Sequence, residues 1–195
     1  EVLHRIVLLL WCVSLQSAVA AESSLVVTHG TQSKAFQLSE LLAHPAAVEV
    51  QTDASDEAYK HPMRYRAVPI EALLPDLDKD ADASVQFIAL DGYAPVIAAK
   101  RLTGIGSARA YLAIEPSPGA WPTLAPNKPS AGPFYLVWRD ARGAGVAPSE
   151  WPYQIAVIRV QSALAARFPK IVPDSKASAQ EWAGFTAYEK QCFGC

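Results

Sequence analysis

Proline sets the limit on what this chain can build. Its 15 prolines fall in nearly every gap between apolar runs, and since proline lacks an amide donor and clashes inside a helix, no long helical layer fits between them. What remains are short pieces. Leu25-Val26-Val27-Thr28 reads as a strand, and Leu38 to Leu42 as a short helix that Pro45 closes. Ala47 to Thr52 alternates like a half-buried strand. Tyr65 to Pro69 leads into a one- or two-turn helix, Ile70 to Leu74, with proline at its entrance. Val85 to Leu90 and Pro95 to Ala98 read as strands joined across Asp91-Gly92-Tyr93, where glycine permits the backbone of a tight turn. Further strands are predicted at Ala110 to Ile114, Phe134 to Trp138 and Gln154 to Val160. Trp121 to Pro129 is too proline-rich for a regular element and reads as a surface loop, and Phe168 to Ser175 as a linker. The pattern predicts a mixed α+β domain of many short strands with short helices over residues 22–162, a linker over 163–178, and the start of a further unit over 179–195.

With 51% hydrophobic and 18% charged residues and a net charge of -2, the chain is neither disordered nor a basic nucleic-acid binder. Part of the apolar content lies at the start. His4 and Arg5 precede the run Ile6 to Leu15, and Ala18-Val19-Ala20 follows, the order of a secretory signal peptide over residues 1–20. The run is shorter than the roughly 20 residues that cross a bilayer, so membrane contact is expected only through this segment if it is uncleaved. Cys12 lies inside it, after Leu10 and Trp11, without the small neighbours of a lipoprotein site. The first residue is Glu1, not Met, which suggests that the record begins inside its reading frame.

The most informative stretch is the last, Gly184 to Cys195, which ends in the C-x-x-C of Cys192 and Cys195. Two cysteines three apart on a helix face the same way, so both sulfurs can bond the vinyl groups of one haem. Three other readings compete. A thioredoxin-like redox pair expects a preceding strand and a βαβ setting. A zinc site needs four ligands, and His29, His44 and His61 are far upstream. A structural disulfide suits an oxidising compartment. Gly184, Phe185 and Tyr188 recur at helical spacing before Cys192, and this stretch resembles the N-terminal helix of class I c-type cytochromes. The resemblance implies haem c held covalently by Cys192 and Cys195, an axial His directly after Cys195, a distal ligand later in an all-α domain, and electron transfer to a redox partner protein in the periplasm. The one Met, Met63, lies in the preceding domain.

A second resemblance covers about Leu25 to Gln161. Val85-Gln86-Phe87-Ile88-Ala89-Leu90-Asp91-Gly92-Tyr93, Ala110 to Ile114, Gly132-Pro133-Phe134-Tyr135-Leu136-Val137 and Trp151-Pro152-Tyr153-Gln154-Ile155 follow one another in an order similar to that of the sulfite-oxidase-type molybdopterin domain. That family holds molybdenum through a thiolate just after the strand corresponding to Val48 to Thr52. Here Thr52-Asp53 stands in that place, which implies a relative that has lost the metal or binds something else in the crevice. An electron carrier is therefore the leading expectation. The alternatives are a molybdopterin-dependent oxidoreductase passing electrons from a small oxyanion to its own haem, and a metal-free ligand-binding or adaptor module.

Lesser signals have plainer readings. Asp76 to Ser84 mimics a calcium loop, but Ala81 replaces the turn glycine and Phe87 the final Glu, so a solvated acidic loop is expected. Gly104-Ile105-Gly106 near Lys100 and Arg101 has Arg109 in place of a third glycine and reads as a tight turn. The three histidines show no catalytic spacing. Asp91 reads as a turn former. Tyr93, Tyr135, Trp138, Trp151 and Tyr153 are the expected walls of any pocket that the domain keeps.

Overall fold

Strand-forming runs dominate the computed structural model, whose described residues are 22–54, 56–77, 79, 83–104 and 106–192, the last helical residues 190 and 191 as backbone. The segment 1–20 read as a signal peptide and the second cysteine, Cys195, lie outside the described residues. Among the described residues nine strands form two sheets. The first has the order β2-β1-β9-β5-β6 and contains β1 (Ser24–His29), β2 (Gln32–Gln37), β5 (Ala83–Ala89), β6 (Val96–Ala98) and β9 (Ile155–Ser162). The second has the order β3-β4-β7-β8 and contains β3 (Val48–Gln51), β4 (Arg64–Pro69), β7 (Arg109–Ile114) and β8 (Phe134–Arg139). Only β1 and β9 pair in parallel; all other neighbours are antiparallel.

The expected α+β architecture does not form, because the chain is mostly β. The helices α1 (Leu38–Leu42), α2 (Ile70–Leu73), α3 (Ala99–Leu102) and α4 (Leu164–Arg167) have four or five residues each. Three of them continue directly from β2, β4 and β6. Helix nucleation is costly and is repaid only over several turns, so these segments act as corners at strand ends and build no helical layer. The expected packed helix of an all-α cytochrome domain is corrected too. The C-terminal helix α5 (Ala179–Gln191) forms, opened by Ser178, whose Oγ accepts from the Glu181 amide while Glu181 accepts from the Ser178 amide at 2.6 Å. Yet none of its described side chains is buried, so it has no core-facing stripe.

Both sheets share one core, in which Leu25, Val85, Phe87 and Ile158 of the first meet Tyr65, Leu112, Ile114 and Leu136 of the second. β7 and β8 are buried along nearly their whole length, which explains their continuous apolar sequences in place of alternation. Each fully buried Leu, Ile or Phe there contributes about 1.5–3 kcal/mol relative to exposure. The edge strand β2, Gln-Ser-Lys-Ala-Phe-Gln, is polar and exposed and carries Lys34, as edges that must not recruit another chain do. It had no signature to read.

Candidate functional site

Three segments converge beside the turn between β5 and β6. The turn contributes Asp91 and Tyr93, the stretch before β9 contributes Pro148, Ser149, Trp151, Pro152 and Tyr153, and the loop after β3 contributes Glu57; together they line a cleft of about 420 Å³. Its two outer rings, Tyr93 and Tyr153, are 40% and 39% exposed, whereas Trp151 at 3% forms the buried wall. The lips are fixed to each other. The Leu90 amide donates to the Gln154 carbonyl at 2.9 Å, and the Gln154 amide donates to Ala131 at 2.9 Å. Gln154 sits at a positive φ of 54°, a backbone that non-glycine residues rarely adopt, and its side-chain amide donates to the Ser130 carbonyl at 2.8 Å. Asp91 Oδ1 accepts from the Tyr93 amide at 3.0 Å, the Asx turn expected of it.

Beneath the cleft lies a buried polar cluster that no local pattern of residues marks. Asp56 is wholly buried and accepts four hydrogen bonds: from Tyr65 Oη at 2.7 Å, Tyr135 Oη at 3.0 Å, Thr52 Oγ1 at 3.0 Å and the Tyr59 amide at 3.1 Å. Such an acceptor-only role is that of an ionised carboxylate, and all four donors are neutral. Burial first, and then the Asp56 charge beside them, push the Tyr65 and Tyr135 phenols far above the ordinary tyrosine range. Burial likewise raises Tyr59, whose hydroxyl donates to the Pro122 carbonyl at 3.0 Å and accepts from the Ala131 amide at 3.1 Å. Tyr135 carries this layer to the cleft, with its ring 6.1 Å from Trp151 and 6.3 Å from Tyr153.

The structure thus gathers three of the five predicted wall residues, Tyr93, Trp151 and Tyr153, at one cleft. Tyr135 lies under it, and Trp138 is buried with Nε1 donating to the Glu150 carbonyl at 2.7 Å. Glu57 was missed, as was Asp56, because the polar run Thr-Asp-Ala-Ser-Asp-Glu after β3 carries no local signal of burial. The histidines stay apart. His29 lines a separate cavity of about 500 Å³ with Lys34 and Phe36, His44 accepts from the Ala46 amide, and the His61 ring stands 6.1 Å from Tyr59. Asp76 pairs with Lys79, while Asp80, Ala81 and Asp82 lie outside the described residues. Gly104 and Gly106 both take positive φ, and Arg109 closes their turn onto the Gly106 carbonyl at 2.8 Å.

At the other end of the chain, Cys192 caps α5 and its thiol is exposed and unpaired among the described residues. Phe185, Tyr188 and Cys192 follow at spacings of three and four, one stripe of the helix. Trp182 extends the stripe, edge-on to Phe185 at 6.1 Å. The stripe is chemically suited to haem c: it offers an accessible sulfur at the end of a row of aromatic rings that a flat apolar macrocycle can cover. The place expected for a molybdenum thiolate does not fit that metal, since Thr52 there is turned inward onto Asp56 and a hydroxyl is a poor soft-metal donor. Among the described residues no group of three or more His, Cys, Asp and Glu could hold a metal ion, and no helix is long and apolar enough to cross a membrane. No protein-family model matches this chain, and no curated protein matches it.

Proposed function

We propose that this chain belongs to an exported, periplasmic electron-transfer protein in which Cys192 and Cys195 tether haem c, and in which the β domain is a ligand-binding or docking module. The observation that carries the reading is the aromatic stripe of exposed Trp182, half-buried Phe185 and exposed Tyr188 that ends on the free thiol of Cys192. Covalent attachment through two sulfurs retains and orients the cofactor in a compartment where it could otherwise be lost, and the group supplies a reversible one-electron couple. The residues of this chain do the rest. Cys192 and Cys195 would hold the group as thioethers, and Trp182, Phe185 and Tyr188 would help to keep water from it.

For the first domain, the motif order favours kinship with sulfite-oxidase-type domains without their metal chemistry. A molybdopterin-dependent oxidoreductase would need a thiolate where Thr52 is engaged with Asp56. A small oxyanion would also meet a cleft whose charged lining residues, among the described residues, are Glu57 and Asp91. The test is expression of the complete reading frame with a signal sequence and the cytochrome c maturation machinery, followed by denaturing gel and absorption spectrum. Haem that stays with the polypeptide on denaturation, and is lost in Cys192→Ala, supports the assignment. A colourless protein under those conditions refutes it.

A further inference from the structure

We infer that the cleft between the β5–β6 turn and the Trp151–Tyr153 segment binds a small organic cation of the quaternary ammonium class, with the rings of Tyr93, Trp151 and Tyr153 as its walls and the carboxylates of Asp91 and Glu57 at its rim. The inference does not rest on the haem assignment.

Aromatic rings present negative faces, and a cation desolvated against several of them is attracted most strongly where water is excluded. Here one ring is buried and two are partly exposed, so a ligand of modest size in the cleft would border three aromatic side chains. The cleft volume of about 420 Å³ lies in the range of small-molecule sites. Its charge has one sign. Among the described residues the cleft is lined by Glu57 and Asp91 and by no Lys, Arg or His. Lys60, which bridges Glu57, offsets one of these carboxylates. Below them Asp56 adds a negative charge whose hydrogen-bond donors are all neutral, joined to the cleft through Tyr135. In a low-dielectric wall such a charge acts over a longer distance than it would in water. An anion would be repelled by Asp91, while a sugar, whose hydroxyls also donate to carboxylates, is distinguished from a cation by the titration below.

The cleft is also rigid, which lowers the ordering cost of binding. The Leu90–Gln154 hydrogen bond ties its two lips together, Asp91 holds its own turn, and Tyr135 braces Trp151 and Tyr153 from beneath.

Calorimetric titration of the full chain with tetramethylammonium and with choline tests the inference. Saturable binding is expected, with a dissociation constant on the order of 1 mM or tighter for ions so small. Tyr153→Ala should weaken it about tenfold, while Tyr153→Phe, which keeps the ring face, should leave it nearly unchanged. Asp91→Asn keeps the oxygen that accepts from the Tyr93 amide and removes the charge, so about threefold to tenfold weakening is expected without loss of the turn. Tyr153 and Asp91 are exposed, and an unchanged urea midpoint verifies that each variant is folded. Three results would each overturn the inference: no saturable binding of either ion, equal binding of the neutral isostere of choline in which carbon replaces nitrogen, or undiminished binding in folded Tyr153→Ala. The second would mark the cleft as an apolar or sugar site.

Discussion

Replacing Tyr65 with Phe removes one oxygen from the centre of the molecule and little else. The ring is 1% exposed and packs edge-on against Trp121 at 5.0 Å and Tyr135 at 5.9 Å, contacts that Phe retains. What is lost is the 2.7 Å hydrogen bond to Asp56 Oδ2, which among the described residues then keeps Thr52 Oγ1 at 3.0 Å. A hydrogen bond to a charged group contributes about 1.5–3 kcal/mol net, and the wholly buried carboxylate loses one of its donors. The expected destabilisation is about 2 kcal/mol. For a chain of this length that is a fall in Tm of about 4–8 °C. Urea unfolding followed by tryptophan fluorescence should show a lower midpoint with an unchanged m-value. Tyr135→Phe should cost at least as much, because its hydroxyl both donates to Asp56 and accepts from the Ala58 amide at 3.1 Å. The two changes should couple, since they share one acceptor residue. If Tyr65→Phe lies within about 0.5 kcal/mol of the parent, the range of an ordinary surface change, the buried cluster does not hold the domain together as argued.

The same cluster sets a pH dependence. Tyr65 and Tyr135 keep their protons in the folded state far above the ordinary value near 10, so above that pH the unfolded chain releases protons that the native one retains. Stability is complete below about pH 10 and falls above it, by about 1.4 kcal/mol per pH unit for each of the two phenols. Urea midpoints between pH 9 and 12 should show at least this slope, since Tyr59 is raised as well, and Tyr65→Phe should remove one phenol's share of it. Gly132→Ala should be strongly destabilising, because a methyl group there would stand 1.9 Å from Glu115 Oε2 and 2.8 Å from its Cβ. Glu115 is a buried carboxylate held by the Trp121 amide at 2.9 Å and Ser130 Oγ at 2.7 Å, so moving it breaks both bonds, and a loss of about 3 kcal/mol or more in urea unfolding is expected. Glu150→Ala leaves the largely covered Arg101 side chain without its carboxylate and the Ala147 amide without its acceptor. Allowing for partial exposure of the pair, about 2 kcal/mol is the expected cost by thermal unfolding.

Period and punctuation carried the fold a certain distance. The apolar runs of β1, β5, β7, β8 and β9 and the short helix Leu38–Leu42 lie within a residue or two of where the sequence places them, because each is decided by local alternation, proline or burial on both faces. The class was misjudged because short helical segments were given the weight of a layer, when each is a single turn at the end of a strand. β2 is a polar edge, and β4 reads as a lead-in to α2 until β3 and β7 pair with it on both sides. At the cleft the aromatic walls were legible from their size and amphipathic character. The carboxylates were not, since nothing local distinguishes a buried Asp56 from its exposed acidic neighbours. Its environment is made by Tyr65 and Tyr135, one nine residues away and the other 79.

The reading of the C-terminal pair is settled most directly by intact-mass and absorption measurements on the periplasmically produced protein, made with haem-maturation machinery present. The account predicts one covalently bound tetrapyrrole on Cys192 and Cys195, a reduced spectrum with the sharp visible bands of haem c, and loss of both in Cys192→Ala. A cystine joining the two residues, with no added mass and no visible absorption, would contradict it.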